Sequence, residues 1–219
     1  QPGRTAPVVA EHMFGLLFTV AKRAAFQTAE IRDHRWTRRM NLGVQGKVLG
    51  IVGTGNIGAE MARLGKAMGM EVIAWTFHPS SERAAQLGVR FVDLEDLLAE
   101  SDYVSLHVAL TEDTRHLIGA AQLAAMKPEA VLLNGARGPV VDLDALAVAL
   151  EGGHLGGAGL DVFADEPFEA DHPIKHCEQA VLTPHAADQT PEGVDLLNGG
   201  AVDNVIAFLE GKPQNNVAV

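Results

Sequence analysis

The run Val48–Val52 is short, apolar and rich in β-branched residues. It leads straight into Gly53-Thr-Gly55-Asn56-Ile57-Gly58, after which residues 57–68 carry a helical pattern closed by Gly69. No other feature limits the fold so tightly. In a glycine turn between strand and helix, the first glycine bends the chain and the second lets backbone approach a phosphate. The third lets the helix pack closely on the strand. The helix start then offers free N–H groups and a positive dipole end to an anion. This context predicts a dinucleotide site built on Gly53, Gly55 and Gly58.

Downstream, short apolar runs alternate with helical stretches. Strands are expected at 71–75, 91–92, 103–106, 131–133, 157–160 and 181–182, with helices at 94–100 (capped by Asp93), 120–126 and 143–150. Strands apolar on both faces suit a buried parallel sheet, and the alternation predicts a doubly wound α/β (Rossmann) fold. Pro7 suits the first turn of a helix running to Val20, with a second helical piece at 25–35 and a loop at 41–46. A last helix at 192–209 ends before Gly211 and Pro213. The expected organisation is a helical arm and linker (1–45), a dinucleotide-binding domain (46–189), and a C-terminal helix with its tail (190–219).

Among 219 residues the formal net charge is −11, which argues against a general nucleic-acid or anionic-membrane surface. Arg32, Arg35, Arg38 and Arg39 read as a solvated helix end and loop. The apolar stretch from Met13 to Val20 is broken by Gly15 and Thr19 and reads as a buried helix, not a membrane span. Cys177 is the only cysteine, which points to a reducing, cytoplasmic setting. His172 and His176 are four apart, but Pro173 between them spoils a helical ligand pair, so no metal site is expected. The chain opens without an initiator Met or a targeting pattern and reads as one entered partway.

The end of the second strand should grip the cofactor's ribose. Spacing puts Thr76 there, a neutral residue that neither repels nor attracts a 2′-phosphate. His78, Ser80, Ser81 and Arg83 lie close enough in sequence to help with a phosphate, though no Arg follows Thr76 directly. The expectation is NAD, with NADP open.

Arg137, Glu166 and His185 follow in Asn134-Gly-Ala-Arg137-Gly, Asp161-Val-Phe-Ala-Asp-Glu166-Pro and Thr183-Pro-His185. A guanidinium can hold a carboxylate through paired hydrogen bonds. An imidazole can move a hydroxyl proton, and a carboxylate can orient that imidazole. Alone, each could be ordinary loop chemistry. Together with Ala10-Glu-His12, Gly46-Lys-Val-Leu-Gly-Ile-Val-Gly53, Ser101-Asp-Tyr-Val-Ser-Leu-His107, Met126-Lys-Pro128 and Gly159-Leu-Asp161, they resemble the D-isomer-specific 2-hydroxyacid dehydrogenase family along nearly the whole chain.

The resemblance implies hydride transfer between a nicotinamide cofactor and a small 2-hydroxy or 2-oxo acid. Arg137 would bind the substrate carboxylate, His185 would be the acid/base, and Glu166 would orient His185 and favour its protonated form. Asp161 would face the nicotinamide amide, while Asn56, Ile57, Val108, Gly135 and Ala136 would lie along the cofactor. There are departures. Ala109 stands where the family often has Pro, which implies a looser loop over the adenosine. Ala186-Ala-Asp188 follows His185 where a small residue and Gly are usual, so Asp188 brings a negative charge near the imidazole. The resemblance also implies a substrate domain that this chain largely lacks, so cofactor binding with little turnover is expected. It implies a homodimer as well, formed in part through the helix from Val8. The competing reading is an NAD(H)-sensing binding module without catalysis. Phosphite or formate oxidation on the same scaffold has no dedicated support in these residues.

Overall fold

Seven strands pair in the computed structural model of the chain: β1 (Val48–Val52), β2 (Glu71–Trp75), β3 (Arg90–Phe91), β4 (Tyr103–Leu106), β5 (Val131–Asn134), β6 (Gly157–Leu160) and β7 (Ala180–Leu182). The structure describes residues 3–168 and 171–215. Residues 1–2 of the expected arm and 216–219 of the expected tail lie outside the described residues. The sheet order is β3-β2-β1-β4-β5-β6-β7, with every neighbouring pair parallel. Sequence order reverses between β1 and β4, and the crevice beyond their carboxyl ends is where open parallel sheets bind ligands.

Among the described residues eight α-helices accompany the strands: α1 (Ala6–Ala21), α2 (Ala24–Arg32), α3 (Asn56–Ala67), α4 (Ser81–Leu87), α5 (Leu94–Glu100), α6 (Ala120–Ala125), α7 (Leu143–Glu151) and α8 (Pro191–Leu209). Side chains alternate across each strand, so the sheet feeds two apolar layers. Leu49, Ile51, Val131 and Leu133 pack with α1 and α3, whereas Val52, Val104, Leu106 and Leu132 pack on the side of α5, α6 and α7. Helix α1 buries Val9, Met13, Phe14, Leu16, Leu17 and Val20 against the chain's own sheet. Full burial of each large apolar side chain is worth about 1.5–3 kcal/mol, which makes α1 a major anchor. Gly157 and Gly159 permit its close approach, because a Cβ at Gly159 would stand 3.0 Å from Leu16 Cβ. The apolar side of this helix is thus covered from within.

Helix ends follow local chemistry. Asp142 accepts a hydrogen bond from the N–H of Ala145 at 3.0 Å, and Thr190 from that of Gly193 at 3.0 Å. Asp93 holds the N-cap position of α5 but makes no side-chain cap bond. Helix α2 stops at Arg32, short of the expected Arg35, because His34 takes φ +56 and turns the chain back. Arg35 then bonds Glu30, which Arg35 and Thr37 together hold down to about 2. Arg39 pairs with Glu178 at 2.8 Å and lies over the Phe26 ring, so part of the basic cluster is engaged rather than free.

Helix α4 was not expected. Ser80 begins it, accepting from the N–H of Arg83 at 3.1 Å, and Gly88 ends it in the left-handed region at φ +61. Helix α8 is the converse case. It was expected, yet it buries only Gly193 and Gly200 and exposes Val202, Val205, Ile206, Phe208 and Leu209. No helix among the described residues is long and apolar enough to cross a membrane.

Candidate active site

The glycine turn joins β1 to α3 at the crevice. Gly53 takes φ +96, and a Cβ there would stand 2.7 Å from the His107 carbonyl oxygen and 2.9 Å from Val108 Cγ1. A Cβ on Gly58 would collide with the Gly53 carbonyl oxygen, so that glycine sets how α3 meets the turn. Gly55 differs: it is exposed, with nothing within 4 Å of an added Cβ. It is also the N-cap of α3 and supplies no side-chain cap, so the first N–H groups of the helix face an open approach. Two glycines shaped by packing and one beside open space fit a bound pyrophosphate. Asn56 is exposed and lies against Gly3, whereas Ile57 is half-buried.

Asn134, at the end of β5, shapes the Arg137 turn. It is 1% exposed; its Oδ1 accepts from the N–H of Ala136 at 3.0 Å and its Nδ2 donates to the Arg137 carbonyl at 3.1 Å. Gly135 sits against Met13, and a Cβ on Gly138 would overlap the backbone of Phe163 and Ala164. The turn thus lies directly on the segment that leads to Glu166. The Arg137 guanidinium is exposed and rests on the Ala136 carbonyl at 2.6 Å.

His185 and Glu166 meet, with 2.7 Å between His185 Nδ1 and Glu166 Oε2. The other carboxylate oxygen accepts from the N–H of Phe163 at 2.9 Å. That backbone bond is the main cause holding the Glu166 carboxyl below the usual carboxylate range; the His185 bond and the nearby Arg137 charge add to it. The imidazole is 47% exposed and the carboxylate 36%, so the pair stands at an open surface. His185 takes φ +50, an uncommon conformation for a non-glycine residue.

Asp161, at the end of β6, is what holds that conformation. Its Oδ1 accepts from the N–H of Ala186 at 2.9 Å and from Thr183 Oγ1 at 2.6 Å, and its Oδ2 accepts from the N–H of Ala187 at 3.0 Å. His12 of α1 approaches through Nε2, 3.1 Å from Thr183 Oγ1 and 3.3 Å from Asp161 Oδ1. The carboxylate expected to face the nicotinamide is thus 1% exposed and engaged by the His185 turn. Sequence reasoning missed this part for Asn134, Thr183 and His12, although all three stood in the quoted segments.

The remaining expectations divide. Thr76 follows β2 beside the turn, where the N–H of Gly53 donates to the Trp75 carbonyl at 2.8 Å. Val108 and Ala136 border the crevice, Val108 against Gly53 and Ala136 largely buried. Asp188 accepts from Gln189 Nε2 at 2.8 Å; its bonds do not run to the imidazole. Thr114 ties down the loop at Ala109. The hydroxyl of Thr114 donates to the Ala109 carbonyl at 2.7 Å and accepts from the N–H of Thr111 at 2.7 Å. His172 bonds Asp144 through Nε2 at 3.0 Å and accepts the N–H of Ile174 on Nδ1, so both nitrogens are occupied.

Residues 14–187 match the family described as D-isomer specific 2-hydroxyacid dehydrogenase, NAD binding domain. The chain belongs to this family. Membership supports an oxidoreductase. A glyoxylate reductase of Korarchaeum cryptofilum is 42% identical over 222 residues, covering 99% of this chain and 67% of that protein. The chain therefore spans about two thirds of that relative's length. A D-lactate dehydrogenase from Aquifex aeolicus, solved with NAD and lactic acid, superposes with a TM-score of 0.87 at 31% identity, covering 97% of this chain and 69% of the other. An acyclic imino acid reductase, solved with NADPH and D-Arg, superposes with a TM-score of 0.89 at 30% identity, covering 99% of this chain and 69% of the other.

Proposed function

We propose that the protein moves a hydride between a nicotinamide dinucleotide and a small D-2-hydroxy acid or its 2-oxo counterpart. The observation that carries the reading is the 2.7 Å contact between His185 Nδ1 and Glu166 Oε2, at the same end of the sheet as the glycine turn. When bound, the dinucleotide supplies or accepts the hydride. Gly53, Gly55, Asn56, Ile57, Gly58 and Thr76 are assigned to its adenosine and pyrophosphate; Val108, Gly135, Ala136, Asp161 and Asp188 line or support its nicotinamide half.

Arg137 swings from the Ala136 carbonyl to the substrate carboxylate, where its planar fork can make two parallel hydrogen bonds. With Nδ1 bonded to Glu166, His185 has Nε2 free to give a proton to the carbonyl oxygen in reduction and take one from the hydroxyl in oxidation. Glu166 orients the imidazole through Nδ1, and its bond to the Phe163 N–H keeps the carboxylate aimed. A glyoxylate reductase and a D-lactate dehydrogenase among the relatives favour a short 2-oxo acid as substrate.

The exposed apolar residues of α8 are assigned to a substrate-binding lobe that would close over the half-exposed pair and exclude water. A homodimer is assigned to the arm, where Ile31, Trp36 and Met40 are exposed. The test is His185→Gln, followed by loss of dihydronicotinamide absorbance with glyoxylate. General acid–base catalysis is worth roughly 100- to 10,000-fold, so turnover should fall by that factor while dinucleotide affinity holds within about twofold. Undiminished turnover would remove His185 from the mechanism.

A further inference from the structure

A cation, Arg83, stands against the glycine turn at the rim of the crevice. Arg83, on α4, reaches back across 29 positions so that its Nη2 donates to the Thr54 carbonyl at 2.8 Å, inside the glycine turn. Its Nη1 donates to Gln86 at 2.9 Å on its own helix. Only two donors are committed in this way, and a guanidinium carries more. The side chain is half-buried, lodged between α4 and the turn.

Beside it, the Gly53–Trp75 bond draws the turn against the end of β2, so Thr76 is the next residue at this rim. An acid at that position would grip the ribose hydroxyls and repel a 2′-phosphate. Thr76 does neither, and Thr76-Phe-His-Pro-Ser-Ser81 contains no carboxylate at all. A neutral hydroxyl and a guanidinium with spare donors are the chemistry of a phosphomonoester site, and the nearest acid in sequence, Glu82, stands on the first turn of α4 beside Arg83 and not at the end of β2.

We propose that Arg83, together with Thr76, binds a phosphate on the 2′-oxygen of the adenosine ribose, so that this chain prefers NADP(H) to NAD(H). This reverses the expectation drawn from the lack of an Arg directly after Thr76. The guanidinium comes instead from a helix that local pattern did not reveal. The inference rests on the dinucleotide reading above and extends it to the cofactor's phosphorylation state.

Calorimetric titration with ADP-ribose and 2′-phospho-ADP-ribose isolates the contact, because neither ligand carries a nicotinamide or needs turnover. The phosphorylated ligand should bind at least about tenfold more tightly, the scale of one charge-assisted contact. In Arg83→Gln the two ligands should come within about threefold of each other, through weaker binding of the phosphorylated one alone. Thr76→Asp, whose fold does not depend on the Arg83 bonds, should invert the preference. Equal or tighter binding of ADP-ribose by the unaltered chain would overturn the proposal. So would an Arg83→Gln variant that weakens both ligands equally, since Arg83 would then only pin α4 to the turn. A Thr76→Asp variant that still favours the phosphorylated ligand would count against it too. If the folded chain binds neither ligand, the dinucleotide reading itself fails and takes this inference with it.

Discussion

Asp161→Asn is the substitution that most directly probes how the His185 turn is held. The carboxylate accepts the N–H groups of both Ala186 and Ala187, at 2.9 and 3.0 Å, as well as the Thr183 hydroxyl at 2.6 Å. Asparagine keeps one acceptor and turns an NH2 group toward the other N–H, so one charge-assisted bond is lost and a second is weakened. Such bonds contribute about 1.5–3 kcal/mol each, and an orphaned buried N–H costs about 1–3 kcal/mol. The turn has no intrinsic preference to fall back on, because a non-glycine residue at positive φ, here +50 at His185, is itself unfavourable by about 1–3 kcal/mol. The expected local loss is about 3–5 kcal/mol.

A turn can open without unfolding the sheet, so amide hydrogen exchange is the right assay. Protection of Ala186 and Ala187 should fall by roughly 100- to 4,000-fold, at about 1.4 kcal/mol per factor of ten, with β1 and β4 unchanged. His185 would then part from Glu166, and turnover should drop with it. Protection unchanged within about threefold at both alanines would refute the claim that Asp161 holds the turn.

Acid lability should trace to His107. Its Nδ1 is buried with no partner, its Nε2 lies 2.8 Å from Ser105 Oγ, and burial pushes its pKa down to about 3. The unfolded chain takes up the proton near pH 6.5 while the fold does not. Stability is therefore intact above that value and is lost as pH falls, by about 2 kcal/mol at pH 5. Urea unfolding of His107→Asn should show that much less loss between neutral pH and pH 5; an equal loss would clear His107. Sedimentation should find a dimer that Trp36→Glu dissociates, since Trp36 is 83% exposed on the arm; a monomer at high concentration would refute that assignment.

The readable parts of this chain were those whose cause is local. The strand–turn–helix around Gly53, the strand Glu71–Trp75 and the strand Gly157–Leu160 follow from residues within a few positions of one another. The Glu166–His185 contact joins residues 19 apart, and it is the family resemblance, not local sequence, that implies it. Contacts set by tertiary packing escaped notice. His12 and Thr183 are 171 positions apart, and nothing near either residue indicates that they meet. The family resemblance implied that Asp161 faces the cofactor; its burial under the His185 turn depends on how β6 and the following loop fold back. Helix α4 was missed because Ser80-Ser-Glu-Arg83 is polar and short, with Leu87 as its sole buried side chain. The apolar side of α1 was legible, but which surface it would cover was not.

Titration of the chain with NADH and with NADPH, read as energy transfer from tryptophan to the dihydronicotinamide, tests the central claim most directly. Trp75 immediately precedes Thr76 at the cofactor rim and serves as the reporter. Tryptophan should be quenched saturably with sensitised nicotinamide emission, and Gly55→Asp, which puts a charged side chain into the open approach to the turn, should abolish both. A folded chain that binds neither dinucleotide would contradict the central claim.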